Sequence, residues 1–454
     1  MLTLDHEVAP AVSSFFADLR AREFSRLDAN GHAYLDFTGS ALYPDSLVTS
    51  HATLLRSGVF GNPHAENPAS TASTSIINAA RQRVLGFLDA DAADHVVIFT
   101  ANATGAIALV AAGFPFGPDA PLVLTADNHN SVNGVREYAR RAGAAVHYLP
   151  LTAQLRLDAP DAALRKLSTK RGLFAFPAQS NFSGVKHPLS LVRAAQANGF
   201  RVLLDAAALL PHTRLSLRDV PADFVALSFY KMFGYPTGVG ALVARHSALA
   251  ELGRPWFSGG TVNFVSVQNE VYALRDGEDA FEDGTANFLA IAAIPAGLDF
   301  LETLHAAGVD EYASSLTAQC GRRLAELRHR NGAPLVEMHG SPLDDRHGAT
   351  IAFNVLDNQG MAIPYSIVER RAHAARVSVR GGCFCNPGAA EAAFGFSAEM
   401  AKRCLASVSA EGWSIDRFRE CMDGSAVGAV RASFGAPSSA RDVERLLRVV
   451  GTFA

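Results

Sequence analysis

One lysine lies in a segment that could turn its amine into a nucleophile. Lys231 follows a predicted strand and belongs to residues 228–235, where four of the eight residues are aromatic. Burial among such side chains lowers the pKa of an amine and makes it reactive toward an aldehyde. The alternative is a surface lysine whose ammonium reaches solvent along its aliphatic stem. The position after a strand and the scarcity of lysine, five among 40 basic residues, favour the reactive role.

A carboxylate and a phosphate-binding turn follow other predicted strands. Asp205 could pair with the protonated ring nitrogen of pyridoxal phosphate (PLP), or it could simply cap a helix. Residues 102–105 form a turn whose backbone amides, with the Thr104 hydroxyl, could hold a phosphate at a helix N-terminus. His129 could stack on a ring face or serve only as a structural hydrogen-bonding group. Together these residue types predict a PLP site.

The elements that must position these residues form an alternating pattern. From about residue 75 to 245, helical spacing (for example over 76–88) alternates with short apolar runs, which predicts an α/β domain with a mostly parallel sheet. In such a sheet, ligands bind outside the carboxyl ends of the strands. The polar segments that follow the predicted strands should therefore share one site; they are 102–105, 127–130, 179–181, 205–208 and 228–231.

The composition limits the class of protein. The chain has 454 residues, 49% of them hydrophobic, and a net charge of −4, which predicts no nucleic-acid partner. Its apolar runs are shorter than the roughly 20 residues of a membrane helix, and no secretory signal is visible. We expect a cytoplasmic protein without a membrane partner. Five cysteines without paired histidines predict neither a metal site nor a disulfide framework.

The chain divides into three predicted parts. Residues 31–295 should form a large cofactor-binding domain, and residues 296–454, where the pattern changes, a smaller α+β domain. The amphipathic N-terminal segment, residues 1–30, should pack with the small domain. Asn30-Gly31 between short apolar runs predicts a two-residue hairpin.

The motifs together resemble the class V, cysteine desulfurase-like PLP enzymes of fold type I, and in particular the N-terminal desulfurase domain of molybdenum cofactor sulfurases. The resemblance covers nearly the whole chain. It is carried by segments 61–64 (GNPH), 228–240 (SFYKMFGYPTGVG), 259–262 (GGTV) and 380–388 (RGGCFCNPG). It implies a large domain with a mostly parallel sheet flanked by helices, plus a smaller α+β C-terminal domain.

The resemblance also implies roles for single residues around PLP. Lys231 would carry the cofactor, Asp205 would pair with its ring nitrogen, and His129 and Ala207 would lie on opposite ring faces. The remaining contacts would come from Ala103, Thr104 and Ser228 at the phosphate, and Asn181 near the phenolic oxygen.

Substrate binding and assembly follow from the same resemblance. Arg431 would hold the carboxylate of the amino acid, a task that suits a bidentate guanidinium, and His64 would also contact substrate. Thr285 matches a threonine that reaches the phosphate of the partner subunit, which implies a homodimer with shared active sites.

Cys385 is the predicted sulfur nucleophile. It lies five residues after Arg380 on a Gly-bounded turn, where a nearby arginine could favour the thiolate. Cys383 is the rival, and both could instead be small buried side chains. The predicted reaction moves sulfur from L-cysteine or a related amino acid through an enzyme persulfide to an acceptor protein or small molecule, giving alanine.

Two alternatives stay open. One is a C–S β-lyase, epimerase or aminotransferase that uses PLP without a catalytic cysteine. The other is a catalytically idle sulfur carrier or scaffold. Two positions depart from the family. Many desulfurases have Gln or His where this chain has Ala208, and sulfurases usually have a third cysteine where it has Ala390.

Overall fold

The central sheet explains how distant segments reach one site. The computed structural model describes residues 10–340, 346–396, 398–412, 414–422 and 426–454. A seven-stranded sheet has the order β2-β8-β7-β6-β5-β3-β4, and only β8 runs antiparallel to its neighbours. The mostly parallel α/β architecture is therefore confirmed. The strands are β1 (Ala33–Tyr34), β2 (His95–Thr100), β3 (Leu122–Thr125), β4 (Val146–Leu149), β5 (Gly172–Pro177), β6 (Phe200–Asp205), β7 (Phe224–Ser228), β8 (Gly240–Arg245), β9 (Val262–Ser266), β10 (Val271–Leu274), β11 (Val336–His339), β12 (Thr350–Val355), β13 (Val377–Ser378), β14 (Arg380–Gly382) and β15 (Ala429–Ser433).

Both faces of this sheet are covered, which is why its strands read as continuous apolar runs. In β5, Phe174 and Phe176 join the cluster on one face, whereas Leu173 and Ala175 join the cluster on the other. The period of two along a strand produces this division. The helices are α1 (Pro10–Glu23), α2 (Arg26–Ala29), α3 (Asp45–Ser57), α4 (Pro68–Phe87), α5 (Ala103–Gly113), α6 (Asn130–Asn133), α7 (Val135–Arg141), α8 (Pro160–Lys166), α9 (Leu191–Ala197), α10 (Phe229–Phe233), α11 (His246–Leu249), α12 (Phe288–Ile291), α13 (Ile294–Ala306), α14 (Val309–Glu326), α15 (Tyr365–Ala374), α16 (Pro387–Phe394), α17 (Ala398–Glu411), α18 (Ile415–Cys421) and α19 (Ala440–Gly451).

A second, antiparallel sheet of four strands has the order β11-β12-β15-β14. Helix α1 packs against two helices of the C-terminal half. Phe16 stacks on Tyr312 of α14, and Arg20 pairs with Asp442 of α19. The predicted domain boundaries stay predictions, and residues 1–9 of the predicted N-terminal segment lie outside the described residues.

The predicted hairpin at Asn30-Gly31 is wrong. The segment ends α2 instead: Asn30 Nδ2 donates to Arg26 O at 2.8 Å, and Gly31 has φ of 56°. Strand β1 then pairs in parallel with β13, more than 300 residues away. The Asn-Gly pair, which favours a turn, here ends a helix.

Two features of the C-terminal half were not predicted. Residues 288–306 have the length and apolar composition of a membrane-spanning helix, although α13, within this stretch, buries Leu298 and Leu301 in the core. In addition, Cys404 and Cys421 form a disulfide between α17 and α18. An odd cysteine count had given no reason to expect a bonded pair.

Candidate active site

A cavity of about 180 Å³ lies at the carboxyl ends of β2, β5, β6 and β7. Every predicted cofactor-binding residue except Thr285 lines it, so the strand-end rule gathers segments that are far apart in sequence. The lining residues are Asn102, Ala103, Thr104, Ile107, His129, Ser131, Pro177, Gln179, Asn181, Asp205, Ala207, Ala208, Ser228, Tyr230 and Lys231.

One end of the cavity can hold an anion. Helix α5 begins here, and the Asn102 side chain accepts from Gly105 N at 2.9 Å, which leaves the first amides of the helix at the cavity wall. Thr104 Oγ1 lies 2.7 Å from Ser131 Oγ. Ser228, at the start of α10, is buried and makes no capping bond of its own.

His129 presents a neutral ring. Its Nδ1 accepts from Ser131 N at 3.1 Å and caps helix α6, which places the ring proton on Nε2. Burial lowers the pKa of His129, and the nearby positive charge of Lys231 acts in the same direction. A neutral imidazole over the cavity suits stacking on a flat heteroaromatic ring.

Asp205 lines the cavity from the end of β6, and Lys231 lines it from α10, which follows the neighbouring strand β7. Asp205 Oδ1 accepts from Ala207 N at 3.0 Å, and the side chain is nearly buried. Burial lowers the pKa of Lys231, and Asp205 partly opposes this shift. The amine is therefore neutral at a lower pH than that of an ordinary lysine, which favours attack on an aldehyde.

A charge cluster around one buried arginine lies beside the cavity. Arg431 is 2% exposed; its Nη1 donates to Asn181 O at 2.8 Å and its Nη2 to Asp36 Oδ1 at 3.0 Å. Arg380 Nη2 donates to the same carboxylate, at Oδ2, over 2.6 Å. Two guanidinium groups share one carboxylate, and Arg431 Nε has no partner among the described residues. The excess positive charge suits a substrate carboxylate.

The two rival cysteines differ in their surroundings. Cys385 is exposed, whereas Cys383 is half-buried and packs against an apolar cluster that includes Phe182 and Ala389. Cys385 is also close enough to Lys231 to act on its pKa, which the thiolate would raise. Cys385 is therefore the more accessible of the two thiols, and its backbone oxygen accepts from Asn130 N at 2.7 Å, next to His129.

Four predicted residues are not among the lining residues: Arg431, Cys385, Thr285 and His64. The last two lie on the surface of the single chain. Thr285 is exposed and accepts a 3.3 Å hydrogen bond from Asn62 Nδ2. His64, also exposed, lies beside Gly260. Both therefore lie on one surface region next to the β9–β10 hairpin.

Several residues of the site carry no role in the sequence analysis. Asp36 and Asn386 lie far along the chain from their partners, so no local pattern marked them. Gln179 follows β5, where the strand-end rule did place it; it is 2% exposed and its Oε1 has no partner among the described residues. This amide oxygen belongs to a residue that lines the cavity.

The chain is similar to several molybdenum cofactor sulfurases. It is 36% identical over 476 residues to the protein of Bos taurus, which covers 98% of this chain and 53% of that protein. The identity to the Arabidopsis thaliana protein is 35%, with 96% of this chain and 58% of that protein covered. The chain thus spans about half the length of the curated relatives it matches.

Solved structures of cysteine desulfurases have the same fold. The Thermococcus onnurineus NA1 enzyme matches with a TM-score of 0.78 at 24% identity, covering 96% of this chain and 97% of that one. CsdA of Escherichia coli matches with a TM-score of 0.76 at 22% identity, covering 96% of this chain and 98% of that one. These neighbours confirm PLP fold type I. Because the model of the family named Aminotransferase class-V matches residues 33–446, this chain belongs to the class V aminotransferase family.

Proposed function

We propose that the protein binds PLP and moves sulfur from L-cysteine to an acceptor through a persulfide on Cys385. The cavity fits the cofactor by its donor set: amides and hydroxyls at one end, a neutral imidazole, a carboxylate and a low-pKa amine. Thr104 and Ser228 would bind the phosphate, His129 would cover one ring face, and Asp205 would pair with the ring nitrogen. When bound, PLP supplies an electron sink for the amino acid.

Residues of the chain would bind the substrate and transfer its proton. Arg431 would bind the substrate carboxylate and so orient the Cα–H bond. Lys231 would take the Cα proton on Nζ, a task that its lowered pKa supports. The fixed positions of both groups reduce the entropy that must be lost before reaction.

Sulfur transfer would balance without an external oxidant or reductant. Cys385 Sγ attacks the sulfur of the bound cysteine, the substrate Cβ–S bond breaks, and an S–S bond forms on the enzyme. The carbon skeleton takes up protons at Cβ and Cα and leaves as alanine. The persulfide then passes its outer sulfur to an acceptor protein or small molecule.

The observation that supports this proposal best is the position of Cys385. It is an exposed thiol whose backbone oxygen accepts from Asn130 N at 2.7 Å, next to the cavity residue His129. A PLP lyase, epimerase or aminotransferase needs no thiol there. The relatives named as sulfurases and the neighbours named as desulfurases also favour sulfur transfer.

The test is incubation of the PLP-loaded protein with L-cysteine, followed by measurement of alanine and mass spectrometry of the protein. We expect alanine and the mass of one added sulfur atom on Cys385. Cys385→Ala should abolish both products, whereas Cys320→Ala, at a buried thiol of α14, should not. Formation of a keto acid without an adduct would replace the proposal with a lyase or aminotransferase.

A homodimer is part of the proposal. The β9–β10 hairpin exposes Phe264 by 60%, Val267 by 89% and Val271 by 54%, next to the region of Thr285 and His64. Exposed apolar side chains grouped on one hairpin favour a protein interface. A second copy would cover it and bring Thr285 to the phosphate end of its neighbour's cavity.

A further inference from the structure

The loop that carries Cys385 has an unfavourable backbone conformation. Phe384 and Cys385 both have φ of 55°, in the left-handed region that residues with a Cβ seldom adopt. Such residues persist only where surrounding contacts over-determine the conformation. The contacts that hold this loop therefore decide where the thiol lies.

One buried side chain, that of Asn386, ties the loop to two other segments. It is 0% exposed. Its Nδ2 donates to Asp127 O at 2.7 Å and to Asn181 Oδ1 at 2.9 Å. Its Oδ1 accepts from Ala389 N at 3.2 Å and caps helix α16. Both amide hydrogens and the amide oxygen of Asn386 are thus used.

The backbone of the loop is bound to the same two segments. Asn130 N donates to Cys385 O at 2.7 Å, and Asn181 Nδ2 donates to Phe384 O at 2.7 Å. Residues 127–130 include His129, and Asn181 itself lines the cavity. The thiol is therefore positioned relative to the groups that would surround the cofactor.

We infer that Asn386 is a positioning residue that holds the Cys385 thiol at the cavity. This inference rests on the proposed function, because it assigns the sulfur-accepting step to a fixed loop. An asparagine suits the role since it offers two donors to two oxygen atoms and an acceptor to a helix amide. An aspartate would place an oxygen against Asp127 O and Asn181 Oδ1, and an alanine would remove all three contacts.

The test compares Asn386→Ala and Asn386→Asp with the parent, each loaded with PLP. We expect kcat for alanine formation to fall by about tenfold to 100-fold, because small displacements of a reacting group have effects of that size. KM for L-cysteine and the amount of bound cofactor, measured by its visible absorption, should stay within about twofold. The reason is that none of the described hydrogen bonds of Asn386 goes to Arg431 or Lys231. The control is Asn198→Ala, which removes one amide-to-carbonyl bond (2.8 Å, to Ala194 O) at the end of α9 and should change nothing.

Hydrogen exchange provides a second readout that does not depend on the reaction. In Asn386→Ala, peptides covering 127–131 and 382–388 should exchange about tenfold faster, because the amides of Asn130 and Asn386 lose their fixed partners. Unchanged kcat, or unchanged exchange in both peptides, would overturn the inference. Loss of the cofactor absorption would also overturn it, since the role would then be merely structural. If the parent forms no alanine, the proposed function fails, and the exchange data alone decide whether Asn386 holds the loop.

Discussion

Arg380 and Arg431 lie directly opposite each other on the antiparallel strands β14 and β15. Like charges in such a pair repel, and Asp36 from a distant segment accepts hydrogen bonds from both. Asp36 and Arg431 are buried, whereas the side chain of Arg380 is half-exposed. Asp36 and Arg431 thus form a buried ion pair beside the cavity, and the half-exposed Arg380 binds the same carboxylate.

Removal of the Asp36 carboxylate should destabilise the folded protein. Asp36→Asn leaves the buried Arg431 guanidinium without an anion, and we expect the free energy of unfolding to fall by about 3–5 kcal/mol. Urea denaturation measures the change. Asp28→Asn is the control, because Asp28 pairs with Arg20 but is 51% exposed, and the loss there should be under about 1 kcal/mol. Equal losses in both variants would contradict this explanation.

Arg431→Lys should weaken recognition of the substrate carboxylate. A lysine keeps the charge but cannot reach Asn181 O and Asp36 with a rigid fork. We expect kcat/KM for L-cysteine to fall by about tenfold to 100-fold. Binding of cysteamine, which lacks the carboxylate, should change little when measured by the cofactor absorption. If both ligands lose affinity to the same extent, Arg431 does not bind the carboxylate.

Gly388 permits the close approach of α16 to the end of β3. A Cβ built on Gly388 would lie 2.0 Å from Ala126 O, so Gly388→Ala should lower the free energy of unfolding by about 1–3 kcal/mol. Gly86→Ala is a matched helical control, because a Cβ there meets no atom within 4 Å. That variant should be more stable by about 0.5–1 kcal/mol. Thermal unfolding of both proteins would show whether the two effects have opposite signs.

Two histidines should make the protein less stable in acid. Burial lowers the pKa of His305 to about 4, and that of His212 to about 4. Unfolded histidines bind protons near pH 6.5, so between that pH and about 4 the unfolded state holds more protons. The free energy of unfolding must therefore decrease as the pH falls through this interval.

Calorimetry from pH 7 to pH 4 measures this dependence as a fall in Tm. His305→Gln should flatten the slope, because Gln can still donate to Leu210 O but does not titrate. The exposed His246 is the control, and His246→Gln should keep the slope of the parent. A slope that is unchanged in His305→Gln would exclude this histidine as a cause.

The exposed hairpin should control assembly. Phe264→Asp with Val267→Asp would place two charges in the apolar surface, and we expect a dimer in the parent to become a monomer with weakened PLP binding. Sedimentation equilibrium gives the mass, and the visible absorption gives the bound cofactor. Met361→Asp, at another half-exposed apolar side chain, should leave the mass unchanged. A parent protein that sediments as a monomer would refute the dimer.

The alternation of apolar runs and helical spacing was enough to predict the parallel sheet and the strand-end positions of Asp205 and Lys231. The reason is that element type depends on local periodicity, and parallel strands bring their carboxyl ends to one edge. The helix predicted over 76–88 begins earlier, at Pro68, because Ser and Thr are weak helix formers and hid the start after the Asn67 cap.

The remaining features of the site depend on contacts between residues far apart in the sequence. Asp36 and Arg431 are 395 residues apart, and Asn386 reaches Asn181 across 205 residues, so no local pattern could mark either contact. Likewise, two cysteines separated by one phenylalanine look equivalent in the sequence. The packing of Cys383 against an apolar cluster and the exposure of Cys385 distinguish them, because burial depends on segments that the chain brings together after folding.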